Sequence, residues 1–190
     1  YIGTLVNCKG YNMEDSENNL FSALKAEGFK IEKTSFLKAY HVAHQKYRIV
    51  RYEQFKEVTN AIWVSEALCS LGITVAAHDS RVKAALNVFF QDFIDTLELR
   101  AGAKKLLTQT QTQHKVGLVS NFTHAPVIYK SLRKLDICRF FNVIVVSEEV
   151  GWRKPHPAIF QDTLTRLQVK PEEAVFIGDS PMEDIKGAND

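Results

Sequence analysis

From about Asp15 to about Leu97 the apolar positions recur at helical spacing, with almost no strand signal. Leu20, Phe21, Ala23 and Leu24 form one stripe that stops before Gly28, which predicts a first helix. A second helix is predicted over Thr34–Val50, a third over Tyr52–Leu71 ahead of Gly72, and a fourth from Asp79 to about Leu97, capped by Asp79-Ser80. Four consecutive helices with short links predict an antiparallel bundle.

From Ala101 the rhythm alternates. Helices are predicted at Ala103–Gln111, Ala125–Leu135 and Pro157–Leu167, each followed by an apolar strand, at Lys115–Ser120, Val143–Ser147 and Ala174–Asp179. Strands this uniformly apolar are buried on both faces, so the sheet is expected to be parallel and covered by helices. The expected class is α/β, a three-layer Rossmann-like core with an inserted four-helix subdomain. Residues 1–12 and 98–190 are assigned to the core and 13–97 to the helical insertion. A chain of 190 residues has the length for one such domain with its insertion.

Charge and cysteine content narrow the classes. The formal net charge is +2 and no long basic run occurs, which gives no reason to expect nucleic acid or an anionic membrane as partner. No apolar run is long enough to span a bilayer and no signal-peptide pattern opens the chain, so a cytoplasmic protein is expected. Cys8, Cys69 and Cys138 are far apart and in no metal-ligand spacing, which predicts buried, reduced thiols. Nothing in the sequence speaks to oligomeric state.

Polar clusters follow each predicted strand, where open α/β sheets gather their ligands. Ser120-Asn121 follows the first, Gly151-Trp-Arg-Lys-Pro155 the second and Gly178-Asp-Ser-Pro-Met-Glu-Asp184 the third. Taken singly, these are a turn and helix cap, a solvated lysine and a capped strand-to-helix turn. In this order, a hydroxyl and amide, then a lysine, then two carboxylates are what a metal-assisted phosphoryl-transfer site needs. On the helical insertion, His41 and His44 read as surface or groove histidines. Lys46, Arg48, Arg51 and Tyr52 form either a solvated helix junction or a contact for a substrate anion.

These motifs resemble the haloacid dehalogenase superfamily of hydrolases, in its helical-cap subgroup. The resemblance covers essentially the whole chain, since Gly3-Thr4-Leu5 is similar to the tail of the family's first motif, Asp-x-Asp-Gly-Thr-Leu. It implies a Mg²⁺-dependent phosphatase acting on a small phosphorylated substrate through an aspartyl-phosphate. In the implied site Ser120, helped by the Asn121 N–H, donates to a phosphoryl oxygen and Lys154 supplies positive charge. Asp179 and the backbone carbonyl of Ile2 hold the metal. Asp184, or secondarily Glu183, orients the metal's water, and Thr4 steadies the first loop. Arg48 and Arg51 are the candidate substrate contacts of the cap.

The first motif departs from the family pattern. Its register puts the nucleophilic aspartate immediately before Tyr1 and places Ile2 where the phosphatases carry their acid/base aspartate. The expectation is therefore a chain clipped at both ends, and a protein lacking the general acid, a group worth on the order of 10²- to 10⁴-fold in rate. Good leaving groups need protonation least. Two alternatives stand beside the phosphatase. One is a 2-haloacid dehalogenase, which needs no proton for the departing halide. The other is a catalytically impaired binding protein.

Overall fold

The computed structural model describes all residues, Tyr1–Asp190. In chain order the elements are β1 (Val6–Cys8), α1 (Met13–Ala26), α2 (Lys33–Glu53), α3 (Asn60–Ser70), α4 (Ser80–Phe89), α5 (Gln91–Asp95) and β2 (Leu97–Leu99). There follow α6 (Ala103–Thr110), β3 (Gly117–Ser120), α7 (Ala125–Lys134), β4 (Val143–Val146), α8 (Ser147–Val150) and α9 (Pro157–Leu167). They form two compact units. The first comprises Tyr1–Lys9, Phe55–Glu57 and Leu97–Asp190; the second comprises Gly10–Gln54 and Val58–Thr96.

In the α/β unit β3 and β4 pair in parallel, in register from Gly117 opposite Val143 to Ser120 opposite Val146. Val119 and Val145 are buried together with Ile159 of α9, and Val143, Val150, Phe160 and Phe176 pack around them. Helix α9 starts at Pro157, whose missing N–H costs nothing at a first turn, and the His156 Nδ1 accepts from Ala158 N at 3.2 Å. β1 and β2 form a separate antiparallel ribbon, Val6 opposite Leu99.

The third expected strand is not a strand. Residues 174–178 form no regular element and join no ladder, and Val175 and Ile177 are 89% and 72% exposed. Apolar alternation supplies the side chains of a strand, but its N–H and C=O groups need a neighbouring backbone. No strand pairs with this segment.

The helical unit packs α1 on α4 and α2 on α3 around Leu20, Leu24, Phe36, Trp63, Leu68, Leu86 and Phe89. Its caps follow the sequence: Asp79 accepts from Arg81 N at 2.9 Å, and Glu32 accepts from Ser35 N and Thr34 N. Those two backbone donors, Ser35 first, hold the Glu32 carboxyl down at about 2. Two helices differ from expectation. The third does not begin at Tyr52: the chain leaves α2 at Gln54 and re-enters helix at Asn60, because 55–57 hydrogen-bonds to 151–153 instead. The fourth ends at Phe89, a short α5 follows, and Leu97–Leu99 is drawn into the ribbon as β2. Cys8, Cys69 and Cys138 form no disulfide, but they are not buried as expected: Cys8 on β1 and Cys69 in the last turn of α3 are exposed and Cys138 is half-buried. No helix is long and apolar enough to cross a membrane.

Candidate active site

The residues following β3, β4 and the 174–178 segment converge within the α/β unit. Ser120 is buried at the carboxyl end of β3. Beside it Asn121 spans the loop after α8: its Oδ1 accepts from Lys154 N at 2.7 Å, and its Nδ2 donates to Lys154 O at 3.0 Å and to Glu183 Oε2 at 3.0 Å. An amide side chain that satisfies both backbone groups of one residue fixes that residue's place. The Lys154 ammonium then reaches Asp184 Oδ1 at 2.5 Å, and both side chains are buried.

Asp184 is fixed from a second direction by Ser180 N, which donates to its Oδ2 at 2.9 Å. Burial alone pushes the Asp184 carboxyl up, but the Lys154 hydrogen bond, the Ser180 N–H and the Lys154 charge together outweigh it and hold the group below the ordinary carboxylate range. Gly178 makes this approach possible, since a Cβ there would lie 2.3 Å from Asp184 Cγ.

Asp179 is exposed and lies against the first loop. Thr4 Oγ1 donates to its Oδ1 at 2.7 Å, and a Cβ on Gly3 would fall 2.2 Å from its Oδ2. Gly3, at φ +91, also has the backbone conformation that side chains disfavour. Leu5 N donates to Tyr1 O at 2.8 Å and Gly3 N to Val6 O at 2.8 Å, so the loop carrying Ile2 and Thr4 is tightly wound. The Tyr1 hydroxyl anchors it through Ser131 Oγ, 2.8 Å away in α7.

The donor set suits a hard cation. Asp179 offers carboxylate oxygens beside a backbone loop, without sulfur or imidazole, and no group of three His, Cys, Asp or Glu side chains is arranged around a common point. Mg²⁺ needs only one or two carboxylates because it retains waters and takes substrate oxygens.

Thr4, Asp179, Ser120, Asn121, Lys154 and Asp184 thus belong to one unit, and hydrogen bonds join Thr4 to Asp179, and Asn121 to Lys154 and on to Asp184. Arg48 and Arg51 belong to the helical unit. Arg51 is buried with its guanidinium 5.6 Å from the Trp63 and Tyr52 ring centres, and Arg48 lies over the Tyr52 ring. His44 stacks on Tyr40 there, and burial first, then the charges of Arg51 and Arg48, holds its imidazole below the ordinary value.

The family's sequence pattern, described as haloacid dehalogenase-like hydrolase, matches residues 79–190, more than half of the chain. The chain belongs to the haloacid dehalogenase-like hydrolases. Among its relatives, a glyceraldehyde 3-phosphate phosphatase from Methanopyrus kandleri is 51% identical over 61 residues, 32% of this chain. The chain spans about a quarter of that relative, the match covering 26% of it. The haloacid dehalogenase-like hydrolase domain-containing protein 3 of Bos taurus is 27% identical over 86% of this chain and 67% of its own length. The crystal structure of a 2-haloacid dehalogenase from Pseudomonas syringae superposes with a TM-score of 0.62 at 19% identity, over 99% of this chain and 79% of that one, a likeness of fold.

Sequence reasoning missed the neighbours that hold these loops together. Arg153 is buried with its Nη2 3.2 Å from Glu183 Oε1 and its Nη1 3.7 Å from Glu57 Oε1, and Ser147 Oγ donates to Glu57 Oε2. Arg153 stood in plain view beside Lys154. Glu57 carried no signal, because it falls inside a stretch whose periodicity reads as helix.

Proposed function

We propose that this hydrolase is a Mg²⁺-dependent phosphatase that acts on a small phosphorylated metabolite through an aspartyl-phosphate intermediate. The observation that carries the reading is the joining of Lys154 to Asp184 and Asn121, beside Asp179, all within one unit. The phosphatase name of the Methanopyrus kandleri relative supports it. A cytoplasmic location and a free metabolite as substrate complete the proposal.

In this mechanism the protein mostly positions groups and neutralises charge. Ser120 Oγ and the Asn121 N–H donate to equatorial phosphoryl oxygens. Lys154, held in place by Asp184, sets a positive charge against the phosphate. Thr4 orients the Asp179 carboxylate. Mg²⁺, held by Asp179 and the Ile2 carbonyl, would neutralise charge on the phosphoryl group and template its approach. The register of Gly3-Thr4-Leu5 assigns the nucleophilic carboxylate to the position ahead of Tyr1. Arg48 and Arg51 are proposed as contacts of the helical unit to the substrate anion.

Ile2 sets the substrate preference. Without a carboxylic acid at this position an alkoxide departs unprotonated, whereas a phenoxide needs no proton. Turnover of aryl phosphates should exceed that of alkyl phosphates, and Ile2→Asp should raise the alkyl rate more than the aryl one, by up to on the order of 10²-fold. Steady-state rates on matched aryl and alkyl phosphates check this. Equal gains on both, or none, would remove Ile2 from the account.

A further inference from the structure

Glu57 is the one carboxylate the mechanism does not use whose side chain has no solvent exposure at all among the ion pairs, at 0%, and its partner Arg153 is 4% exposed. A buried charge of this kind is costly unless its geometry is satisfied, and replacing such pairs by apolar residues often stabilises a protein. Its persistence calls for a reason other than stability.

The segment that carries it is held firmly. Glu57 N donates to Gly151 O at 2.9 Å, Arg153 N donates to Phe55 O at 3.0 Å, and Lys56 bridges Trp152. Phe55 takes φ 54, a left-handed conformation unusual for an aromatic residue, and such outliers persist only where the surroundings over-determine them. From this clamp two chains of contacts run to the site. Through Arg153, Glu57 reaches Glu183, then Asn121 Nδ2, and so the backbone of Lys154. Through Ser147, whose Oγ donates to Glu57 and accepts from Phe122 N at 2.9 Å, it reaches the residue that follows Ser120-Asn121.

We infer that Glu57 is a positioning residue: by holding Arg153 and Ser147 together it sets the relative place of the Ser120-Asn121 loop and Lys154. Bringing a hydroxyl and an ammonium onto one phosphate needs two loops in register; the Arg153 guanidinium, hydrogen-bonded to Glu183 and ion-paired with Glu57 at 3.7 Å, holds one while the Ser147 hydroxyl holds the other. The consequence for phosphate binding rests on the phosphatase reading above; the coupling of Glu57 to Asn121 does not.

The test uses the whole protein carrying Glu57→Gln, which keeps the shape and removes the charge, or Glu57→Asp, which restores a carboxylate one methylene shorter. Rates are referred to folded protein measured by circular dichroism. Glu57→Gln should lower kcat on an aryl phosphate by on the order of 10²-fold. It should weaken inorganic phosphate, titrated by calorimetry, by about tenfold, and should move the NMR resonances of the Asn121 side-chain amide. Glu57→Asp should recover part of each. If Glu57→Gln does not fold, Arg153→Lys, which keeps the charge and loses the fork, is read in the same way. A lowered Tm with wild-type kcat, wild-type phosphate affinity and an unmoved Asn121 amide would overturn the inference and leave Glu57 merely structural. A wild-type protein that hydrolyses no phosphate ester sinks the phosphatase reading instead. In that event the Asn121 amide alone decides for Glu57, a shift supporting its role and no shift contradicting it.

Discussion

Lys154 and Arg51 are both buried cations, one in each unit, and they keep different company. The Lys154 side chain is 7% exposed and bonded to a carboxylate that is 5% exposed, whereas Arg51 lies over the faces of Trp63 and Tyr52. A carboxylate neutralises the ammonium and fixes its position, and an aromatic face adds its own attraction for a guanidinium. The contrast separates two ways of placing positive charge. Lys154 is tied through Asp184 to Ser180 and through its own backbone to Asn121, so it cannot move without moving the loops around it. Arg51 is part of the packing between α2 and α3, and Trp63 beneath it belongs to the helical core.

Removing the two charges should therefore have unlike effects. Lys154→Met should lower kcat by on the order of 10²- to 10³-fold, the loss typical of one preorganised charge-stabilising donor. It should also destabilise the protein by about 3–5 kcal/mol, since Asp184 would be left buried without its cation. Arg51→Met should remove cation–π attraction worth about 1 kcal/mol, with the functional loss in KM and kcat near wild type. Steady-state kinetics with denaturant unfolding of both variants checks the pair. A kcat loss at Arg51 as large as that at Lys154 would erase the distinction.

The smallest expected effect concerns pH. The folded-state value of Asp184 lies below its ordinary value, so its contribution to stability is present above about pH 4 and is lost as pH falls through and below the ordinary carboxylate range. Asp184→Asn removes that contribution. The Tm gap between wild type and variant, scanned from pH 7 downward, should shrink below about pH 4. A gap that is constant with pH would mean that the Lys154–Asp184 pair does not depend on ionised Asp184.

The same contrast explains what the sequence could and could not disclose. The apolar runs at Gly117–Ser120 and Val143–Val146, the cap at Asp79, the helix start at Pro157 and the parallel α/β class were legible because each depends on local pattern. Ala174–Gly178 carries an equally apolar pattern, yet Val175 and Ile177 face solvent, because a strand also requires a neighbour that local pattern does not reveal. Lys154, Asp179 and Asp184 were visible as charges at the ends of apolar runs. Glu57 was not, since its partners lie about 90 residues away in the chain and its own stretch mimics a helix. The bonding of Lys154 to Asp184 is a tertiary fact that no spacing rule supplies.

On the proposed reading, Asp179 and Lys154 serve a metal-dependent phosphatase. The most direct measurement pairs release of phosphate from an aryl phosphate with release of chloride from 2-chloropropionate, each with Mg²⁺ and with EDTA, for wild type and for Asp179→Asn. Phosphate release should need Mg²⁺, fall by on the order of 10²-fold or more in Asp179→Asn, and be unaccompanied by chloride. Chloride release that persists in EDTA and in Asp179→Asn, with no phosphate released, would contradict it.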